Sequence, residues 1–346
     1  MASPSFPKPR FPQGSTVLVT GATGFVGSNV ATELLLAGFK VRAVTRNAGR
    51  AQSLKQQLES QYGSGTFEIV EVAEPSAPGA LDAAVQGVSG IVHTATDASM
   101  STDPDAVIEA VVSFNNGLLE AAAKNESVKS VVLTSSSVAA FSKTGQQPII
   151  AGEQTYQDDI VKLVYSLKDD DPFKAPAVYM ASKVKGEQAA WAFAKDKVFA
   201  FNTVLPDWVT GVPTNPDKTP LYTTYGWLRE FAQGTYGPHT ALYQFLNPPG
   251  FYNDVRDVAR AHVAALVADE IKDQRIYAMT ELWSIEELAR AIQKAKPHLP
   301  LPDYQDSKPK TDIRVPNQAF KDLLKRYYGK PPTSLDETVA ATISDL

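Results

Sequence analysis

Three glycines that follow the first apolar run restrict this chain more than any other feature of its sequence. Residues 16–20 form a short β-branched run, residues 20–27 read TGATGFVG, and a helical pattern of apolar residues then continues to Gly38. This order predicts a strand, a tight turn and a helix. In such a unit the first glycine permits the turn, the second lets the backbone approach a pyrophosphate, and the third lets the helix pack closely on the sheet.

An ordinary glycine turn is the competing interpretation, because the spacing is GxxGxxG and not the GxGxxG of the general dinucleotide-binding fingerprint. We favour nucleotide binding, because the motif lies directly between a strand and a helix. Contacts to a dinucleotide are then predicted from this turn and from the end of the fourth predicted strand, at Gly21, Thr23, Gly24, Phe25, Val26, Gly27, Thr94 and Ala95.

The same alternation of strand-like and helical segments recurs over the first 206 residues. Strands that are apolar almost throughout are typical of a parallel sheet covered by helices on both faces. The predicted fold class is therefore α/β, a doubly wound parallel Rossmann sheet with a smaller C-terminal substrate-binding region. After the first strand, further strands are predicted at residues 40–45, 67–72, 90–94, 130–135 and 199–205.

The local amino-acid composition changes after Pro206: Pro, Gly, Tyr and Trp are frequent from there to residue 250. We predict an extended N-terminal arm at residues 1–13 and a dinucleotide-binding Rossmann core at residues 14–206, whose cofactor is argued below. Elements at about 251–282 are expected to return to this core, as a helix near 255–268 and a strand near 275–279. The smaller substrate-binding region then consists of residues 207–250 and 283–346, with two C-terminal helices opened by the capping boxes Ser284…Glu287 and Ser334…Glu337.

Composition excludes several classes of protein. The formal net charge of -5 is spread over interspersed positive and negative residues, so neither nucleic acid nor an anionic membrane is an expected partner. The chain has no Cys and its four His are scattered, so thiol catalysis is excluded and no metal site is expected. A secretory signal and a membrane-spanning apolar run are both absent, which predicts a soluble, cytoplasmic protein.

The end of the second predicted strand indicates which dinucleotide fits. A NAD site usually has an Asp or Glu there, which accepts a hydrogen bond from the ribose 2′-OH, but residues 41–46 read VRAVTR. Arg46 and Arg50 can instead bind a 2′-phosphate through charge-assisted, forked hydrogen bonds, so NADP(H) is the predicted cofactor. Glu74, after the third strand, is predicted to accept a hydrogen bond from the adenine amino group. The alternative for all three side chains is a solvated loop position.

Hydroxyl and amine groups supply a candidate proton-transfer site. Tyr179 and Lys183 lie one turn apart in a helix-forming stretch, and a nearby ammonium favours the phenolate of a tyrosine, whose ordinary pKa is about 10. Such a tyrosine can protonate the oxygen of a carbonyl group that receives hydride. The fifth predicted strand ends in three serines, one of which can hydrogen-bond that oxygen. A surface Tyr beside a Lys, and serines that only satisfy backbone groups, are the competing interpretations.

The combination of TGATGFVG, KVRAVTR, LTSSS, YMASK and DVRDVARAHV resembles the extended short-chain dehydrogenase/reductases. The resemblance is closest to the dihydroflavonol reductase branch and its fungal NADPH-dependent aldehyde and carbonyl reductases, and it extends from about Gly14 to the final helix. It implies that Ser136, the second serine of the run, is catalytic together with Tyr179 and Lys183. It also implies that Arg46 and Arg50 hold the 2′-phosphate and that Pro206 lies beside the nicotinamide.

Two features depart from the branch. Glu74 stands where the branch usually has Asp, and residues 213–249 match no substrate-specificity pattern. Five aromatic residues in or near this stretch are predicted to contact an apolar or aromatic carbonyl substrate, or alternatively to fill the core of the smaller region. They are Trp208, Tyr225, Trp227, Tyr243 and Phe245.

The leading hypothesis is NADPH-dependent reduction of an aldehyde or ketone to an alcohol by hydride transfer. Tyr179 is the predicted general acid, Lys183 lowers the pKa of Tyr179 and binds ribose, and Ser136 holds the carbonyl oxygen. A nucleotide-sugar epimerase or dehydratase with bound NAD is the alternative enzyme, and the missing second-strand acid argues against it. A non-catalytic NADP-sensing regulator is the third hypothesis, and such a protein would not need all three catalytic residues. A homodimer is compatible with the sequence.

Overall fold

The large sheet has seven strands, in the order Arg275–Ile276 (β10), Ala200–Val204 (β7), Ser130–Thr134 (β5), Gly90–His93 (β4), Thr16–Thr20 (β1), Lys40–Thr45 (β2) and Phe67–Glu71 (β3). The first strand of the chain, β1, is an interior strand and is buried from Val17 to Thr20. All neighbouring strands of this sheet run parallel. The computed structural model describes residues 4–97, 99–143, 148–215, 224–235, 250–304 and 312–346. The strands are β1 Thr16–Thr20, β2 Lys40–Thr45, β3 Phe67–Glu71, β4 Gly90–His93, β5 Ser130–Thr134, β6 Ile149–Ile150, β7 Ala200–Val204, β8 Trp208–Thr210, β9 Phe251–Asp254, β10 Arg275–Ile276, β11 Glu281–Leu282 and β12 Ile313–Arg314.

Helices cover both faces of the large sheet. Val17 and Val19 of β1 pack into the same core as Val30 and Leu34 of α1, whereas Leu18 packs into a separate core on the opposite face. Alternate strand residues point to opposite faces, so burial on both sides requires the nearly continuous apolar runs seen in the sequence. The helices are α1 Phe25–Leu36, α2 Ala48–Tyr62, α3 Asp82–Val85, α4 Pro104–Ala123, α5 Ser137–Ala140, α6 Asp158–Ser166, α7 Lys174–Ala194, α8 Thr224–Ala232, α9 Val255–Val267, α10 Ile285–Ala295, α11 Gln318–Tyr328 and α12 Leu335–Thr342.

The predicted fold class is confirmed, since the architecture is a doubly wound parallel sheet. The six strands predicted up to residue 205 agree with β1–β5 and β7 to within one residue at each end. The N-terminal arm is anchored to the core. Phe11 is buried against Phe39, and the guanidinium of Arg10 donates to the carbonyl oxygens of Ala268 and Ile271 at 3.0 Å.

A three-stranded sheet with the order β11-β9-β8 begins the smaller region. Of the segment at about 251–282, which was expected to return to the Rossmann core, only α9 and β10 pack with the large sheet. The expectation for β9 and β11 needs correction: β9 pairs with β8 and with β11, so both strands lie in the smaller sheet. A separate two-stranded sheet joins β6 and β12.

Both predicted capping boxes are present, at Ser284 with Glu287 and at Ser334 with Glu337, where they open α10 and α12. A third helix, α11, was not predicted between them. Its N-cap residue Asn317 is of a type that favours helix starts, but its amide donates to the carbonyl oxygen of Met279, and the third helical residue is Phe320, so the sequence carries no capping box at that point. Across the described ranges, no helix is both long and apolar enough to cross a membrane.

Candidate active site

The glycine turn is packed so tightly that side chains are excluded. Gly21 has a φ of +69°, and a Cβ there would lie 2.7 Å from Oγ1 of Thr94 and 2.9 Å from the amide nitrogen of Ala95. A Cβ on Gly27 would lie 2.1 Å from the carbonyl oxygen of Gly21. Thr94 is held in place because its hydroxyl donates to the carbonyl oxygen of Thr20 at 2.7 Å. The turn and the end of β4 are therefore adjacent, as the sequence predicted.

Helix α1 starts directly after this turn, and no side chain caps its N-terminus. Its N-cap residue Gly24 offers no side-chain capping bond, and the first turn, which includes Phe25 and Val26, contains no acidic residue. Thr23 lies in the turn just before it. The positive end of the helix dipole and its first backbone amides then suit an anion such as a pyrophosphate. A dinucleotide therefore fits the residues that are present.

The arginines at the end of β2 are exposed. Arg46 follows the strand and Arg50 lies in the first turn of α2, and neither forms an ion pair with any residue in the part of the chain that the structure describes. Glu74 is exposed in the loop after β3. Sequence reasoning missed Glu71, whose carboxylate accepts a hydrogen bond from the amide of Ala48 at 2.7 Å and so caps α2 beside these arginines.

The three predicted catalytic residues meet where β5 ends. Ser136 is the N-cap residue of the short helix α5, where its hydroxyl accepts a hydrogen bond from the amide of Val138 at 3.4 Å, and it lies close enough to the phenol of Tyr179 on α7 to lower the pKa of that phenol against the effect of burial. Lys183, one turn further along α7, donates from Nζ to the carbonyl oxygen of Thr134 at 3.2 Å. Pro206 borders the same place, because its carbonyl oxygen accepts a hydrogen bond from the amide of Ser137, the residue after Ser136, at 2.8 Å. The strand end and one face of α7 together form the candidate active site.

Burial determines the protonation of this group. It raises the pKa of Tyr179 to about 12, against the opposing effect of the hydrogen bond from Ser136. It also lowers the pKa of Lys183 to about 8, against the opposing charge of Glu187. At neutral pH the phenol is therefore neutral and the amine is mostly an ammonium ion. The lysine Nζ lies 6.0 Å from the centre of the tyrosine ring, and its predicted lowering of the pKa of Tyr179 stays a prediction.

A buried chain of hydrogen bonds, which sequence reasoning missed as a unit, supports α7 from behind. Nδ1 of His93 lies 2.6 Å from Oγ1 of Thr20, and Nε2 lies 3.1 Å from Oδ1 of Asn115 on α4. The amide of Asn115 then donates to the carbonyl oxygen of Gly186 at 3.0 Å. Burial, with the nearby charge of Lys183, lowers the pKa of His93 to about 3, so the imidazole is neutral. A polar Asn within an apolar helix was the available signal.

The aromatic residues predicted to line a substrate pocket occupy different places. Trp208 is buried in the core of the smaller region, with its ring 5.5 Å from that of Trp227 and 6.0 Å from that of Trp283. Tyr225 is buried against Phe25, at 5.7 Å between ring centres, and so lies beside the glycine turn. These positions match the core alternative for Trp208 and Tyr225, and substrate contact by the five aromatic residues stays a prediction. Tyr243 and Phe245 lie outside the described residues.

Comparison with known proteins decides the family. Residues 17–279, more than half of the chain, match the model of the NAD dependent epimerase/dehydratase family. The chain belongs to this family. It is 33% identical over 299 residues to aldehyde reductase 2 of Sporidiobolus salmonicolor, with 85% of each chain covered. It is 30% identical over 342 residues to a ketoreductase of Aspergillus novofumigatus, with 96% of this chain and 97% of the relative covered.

A solved reductase structure has the same fold. The crystal structure of yeast methylglyoxal/isovaleraldehyde reductase Gre2 complexed with NADPH superposes with a TM-score of 0.77 and 23% sequence identity, covering 95% of this chain and 97% of the yeast chain. The resemblance to the extended short-chain dehydrogenase/reductases and their fungal aldehyde and carbonyl reductases is confirmed. This family member is accordingly an NAD(P)-dependent oxidoreductase of the reductase type.

Proposed function

We propose that the protein uses NADPH to reduce an aldehyde or ketone to an alcohol. The observation that carries this proposal is the meeting of three groups at the end of β5: the Ser136 hydroxyl, the phenol of Tyr179 and, one helical turn away, the ammonium of Lys183. The nearby glycine turn and the uncapped N-terminus of α1 suit the dinucleotide. The names of the fungal relatives, an aldehyde reductase and a ketoreductase, agree with this chemistry.

Each residue of the site has a separate part in the proposed reaction. Ser136 donates a hydrogen bond to the carbonyl oxygen and thereby orients the substrate. A reduced nicotinamide, held by the glycine turn and the end of β4, would supply the hydride to the carbonyl carbon. Tyr179 gives its phenolic proton to the oxygen as negative charge develops there, and Lys183 binds the ribose and stabilises the phenolate that is left. Glu74 contacts adenine, and Arg46 and Arg50 bind the 2′-phosphate.

The protonation of the site suits a general acid. A general acid must hold its proton before the reaction, and burial raises the pKa of Tyr179 to about 12, so the phenol is protonated at neutral pH. The proton needed by a carbonyl oxygen is therefore already in place.

Consumption of NADPH with a panel of aldehydes, ketones and ketoesters tests this function. We expect turnover with at least one class of carbonyl compound and alcohol as the product. An epimerase or dehydratase would convert nucleotide sugars without net consumption of the cofactor. A non-catalytic regulator would bind NADPH and consume none. Either of those results in place of carbonyl reduction would overturn the proposal.

Replacing Arg46 by alanine is expected to weaken NADPH binding much more than NADH binding. Only NADPH carries the 2′-phosphate, and a charge-assisted hydrogen bond contributes about 1.5–3 kcal/mol, which corresponds to roughly 10- to 100-fold in Kd. Fluorescence titration with both cofactors measures the difference. Arg290→Ala is the matched control, because Arg290 is also exposed but lies on α10 and pairs with Glu286. Equal use of the two cofactors by the unmodified protein would contradict the assignment.

Substrate choice is proposed to reside in residues 207–251, which follow the nicotinamide-side strand. Alanine at Trp227, Tyr243 or Phe245 is expected to change the ratio of kcat/KM between a bulky and a small carbonyl compound. The change should correspond to about 1–3 kcal/mol in activation free energy, with NADPH affinity roughly unchanged. Trp208→Ala is the control for a core residue and is expected to lower the free energy of unfolding by about 3–5 kcal/mol. If the three variants lose both activities in parallel with thermal stability, as the control does, the pocket lies elsewhere.

A further inference from the structure

A buried carboxylate lies directly behind the candidate active site. Glu187 follows Lys183 by one turn on α7, and its side chain is 1% exposed. Oε2 accepts a hydrogen bond from the hydroxyl of Ser135 at 2.7 Å, and Oε1 accepts one from the hydroxyl of Thr203 at 3.0 Å. The indole of Trp191 donates to Oε1 at 3.3 Å. The carboxylate therefore joins the helix that carries Tyr179 and Lys183 to the ends of β5 and β7.

An arginine balances this buried charge. Nε of Arg275 on β10 lies 2.8 Å from Oε1 of Glu187, and Nη2 lies 3.2 Å from Oε2, in a forked pair. The arginine side chain is 4% exposed, and its remaining nitrogen donates to the carbonyl oxygens of Glu153 and Thr155. Loss of one partner from a buried ion pair leaves the other charge buried and unpaired, which is strongly unfavourable. Glu187 and Arg275 are therefore held in fixed positions relative to each other.

The position of Ser135 connects this pair to catalysis. Ser135 and Ser136 are neighbours in extended backbone, where successive side chains point to opposite sides. When Ser135 points inward to the carboxylate, Ser136 points outward, toward Tyr179. On the helix, residues four apart share a face, so Glu187 and Lys183 are neighbours. One carboxylate thus contacts Ser135, the neighbour of Ser136, and acts electrostatically on Lys183.

We propose that Glu187 is a positioning residue, which sets the orientation of Ser136 through Ser135 and supports the ammonium of Lys183 from the adjacent helical turn. This inference rests on the proposed carbonyl reduction. It assigns to Glu187 an effect on the reaction and not only on folding.

The charges around Lys183 predict the direction in which its pKa changes when Glu187 is replaced. Three kinds of group face Lys183 and Glu187 from the surrounding elements. Arg275 is a cation, and burial lowers the pKa of His93, so its imidazole is neutral. Burial raises the pKa values of three phenols, which are therefore also neutral: Tyr179, Tyr156 and Tyr277. Burial lowers the pKa of Lys183 to about 8, and the negative charge of Glu187 opposes that lowering. Removal of that charge lowers the pKa of Lys183, so the ammonium is lost at a lower pH.

Glu187→Gln keeps the shape of the side chain and removes its charge. We expect kcat to fall about 10- to 100-fold, the scale of displaced catalytic groups, and the basic limb of the pH profile of kcat/KM to move down by about one pH unit. Glu33→Gln is the matched control, because Glu33 is equally buried and pairs with Arg260, but on α1. The control is expected to lose stability with an unchanged pH profile. A Glu187→Gln variant that behaves like this control would overturn the proposal.

Two milder variants separate orientation from charge and keep the ion pair that the fold needs. Ser135→Ala and Thr203→Val each remove one hydroxyl from Glu187, but only Ser135 adjoins the catalytic serine. We expect kcat to fall about 10-fold in Ser135→Ala, within the range for misaligned groups, and to change less than about 2-fold in Thr203→Val, with both pH profiles unchanged. Equal effects in the two variants would contradict orientation through Ser135.

A direct titration of Lys183 makes the inference independent of turnover. Nitrogen NMR on lysine-labelled protein, assigned with Lys183→Arg, gives the pKa of Lys183 in the unmodified protein and in Glu187→Gln. A lower pKa in the variant is expected, and an unchanged pKa would overturn the electrostatic part. If the unmodified protein reduces no carbonyl compound, the proposed function fails, whereas this titration still decides whether Glu187 supports the ammonium.

Discussion

Replacing Tyr179 by phenylalanine is expected to lower kcat by about 100-fold or more, the scale typical of losing a general acid. The variant keeps the aromatic ring and its packing on α7 but removes the proton that the carbonyl oxygen must receive. Because the loss falls on the chemical step, the Kd for NADPH should stay nearly unchanged. Single-turnover reduction and fluorescence titration with NADPH measure the two effects separately.

Two further variants control this result. Tyr165→Phe removes an equivalent hydroxyl from the surface helix α6, where it donates to Asp105, and should leave kcat unchanged. Lys183→Ala should lower kcat and also weaken NADPH binding, because its ammonium is proposed to contact the ribose. Near-full reductase activity in Tyr179→Phe would refute the role of the phenol as the acid.

The strands of the large sheet were predictable because each is buried on both faces. That environment demands an unbroken apolar run, as in Val17, Leu18 and Val19, and leaves little freedom in the position of its ends. Strand pairing in the smaller region was not predictable in the same way. β9 is a four-residue strand whose partners are β8 and β11, and so short a segment carries no signal of which sheet it joins.

The candidate site divides along similar lines. The glycine turn and the pair Tyr179 and Lys183 are local in sequence, so their spacing alone predicts their geometry. The role of Glu187 depends on Ser135, 52 residues earlier, and on Arg275, 88 residues later, and these partners meet only when α7, β5 and β10 have packed. The sequence did not decide whether Trp208 contacts substrate or fills a core, because a pocket wall and a packed core require the same apolar surface.

Gly27→Ala should weaken cofactor binding strongly through one added methyl group. A Cβ at Gly27 lies 2.1 Å from the carbonyl oxygen of Gly21 and 2.6 Å from Oγ1 of Thr94, and backbone at that distance must move. Movement of Gly21 displaces the turn that is proposed to approach the pyrophosphate, so we expect NADPH affinity to fall at least ~10-fold, equivalent to about 1.4 kcal/mol. Overpacking of this kind also lowers the free energy of unfolding, by about 1–3 kcal/mol or more.

Gly117→Ala is the matched control for this substitution. Gly117 also lies within a helix, α4, but a Cβ there meets nothing within 4 Å. The added methyl group should therefore raise the free energy of unfolding by roughly 0.5–1 kcal/mol, the ordinary difference between alanine and glycine in a helix. Denaturant unfolding and fluorescence titration with NADPH compare the two variants. If Gly27→Ala binds NADPH as tightly as Gly117→Ala does, the turn tolerates a side chain there, and the tight packing of Gly27 against Gly21 is not what cofactor binding requires.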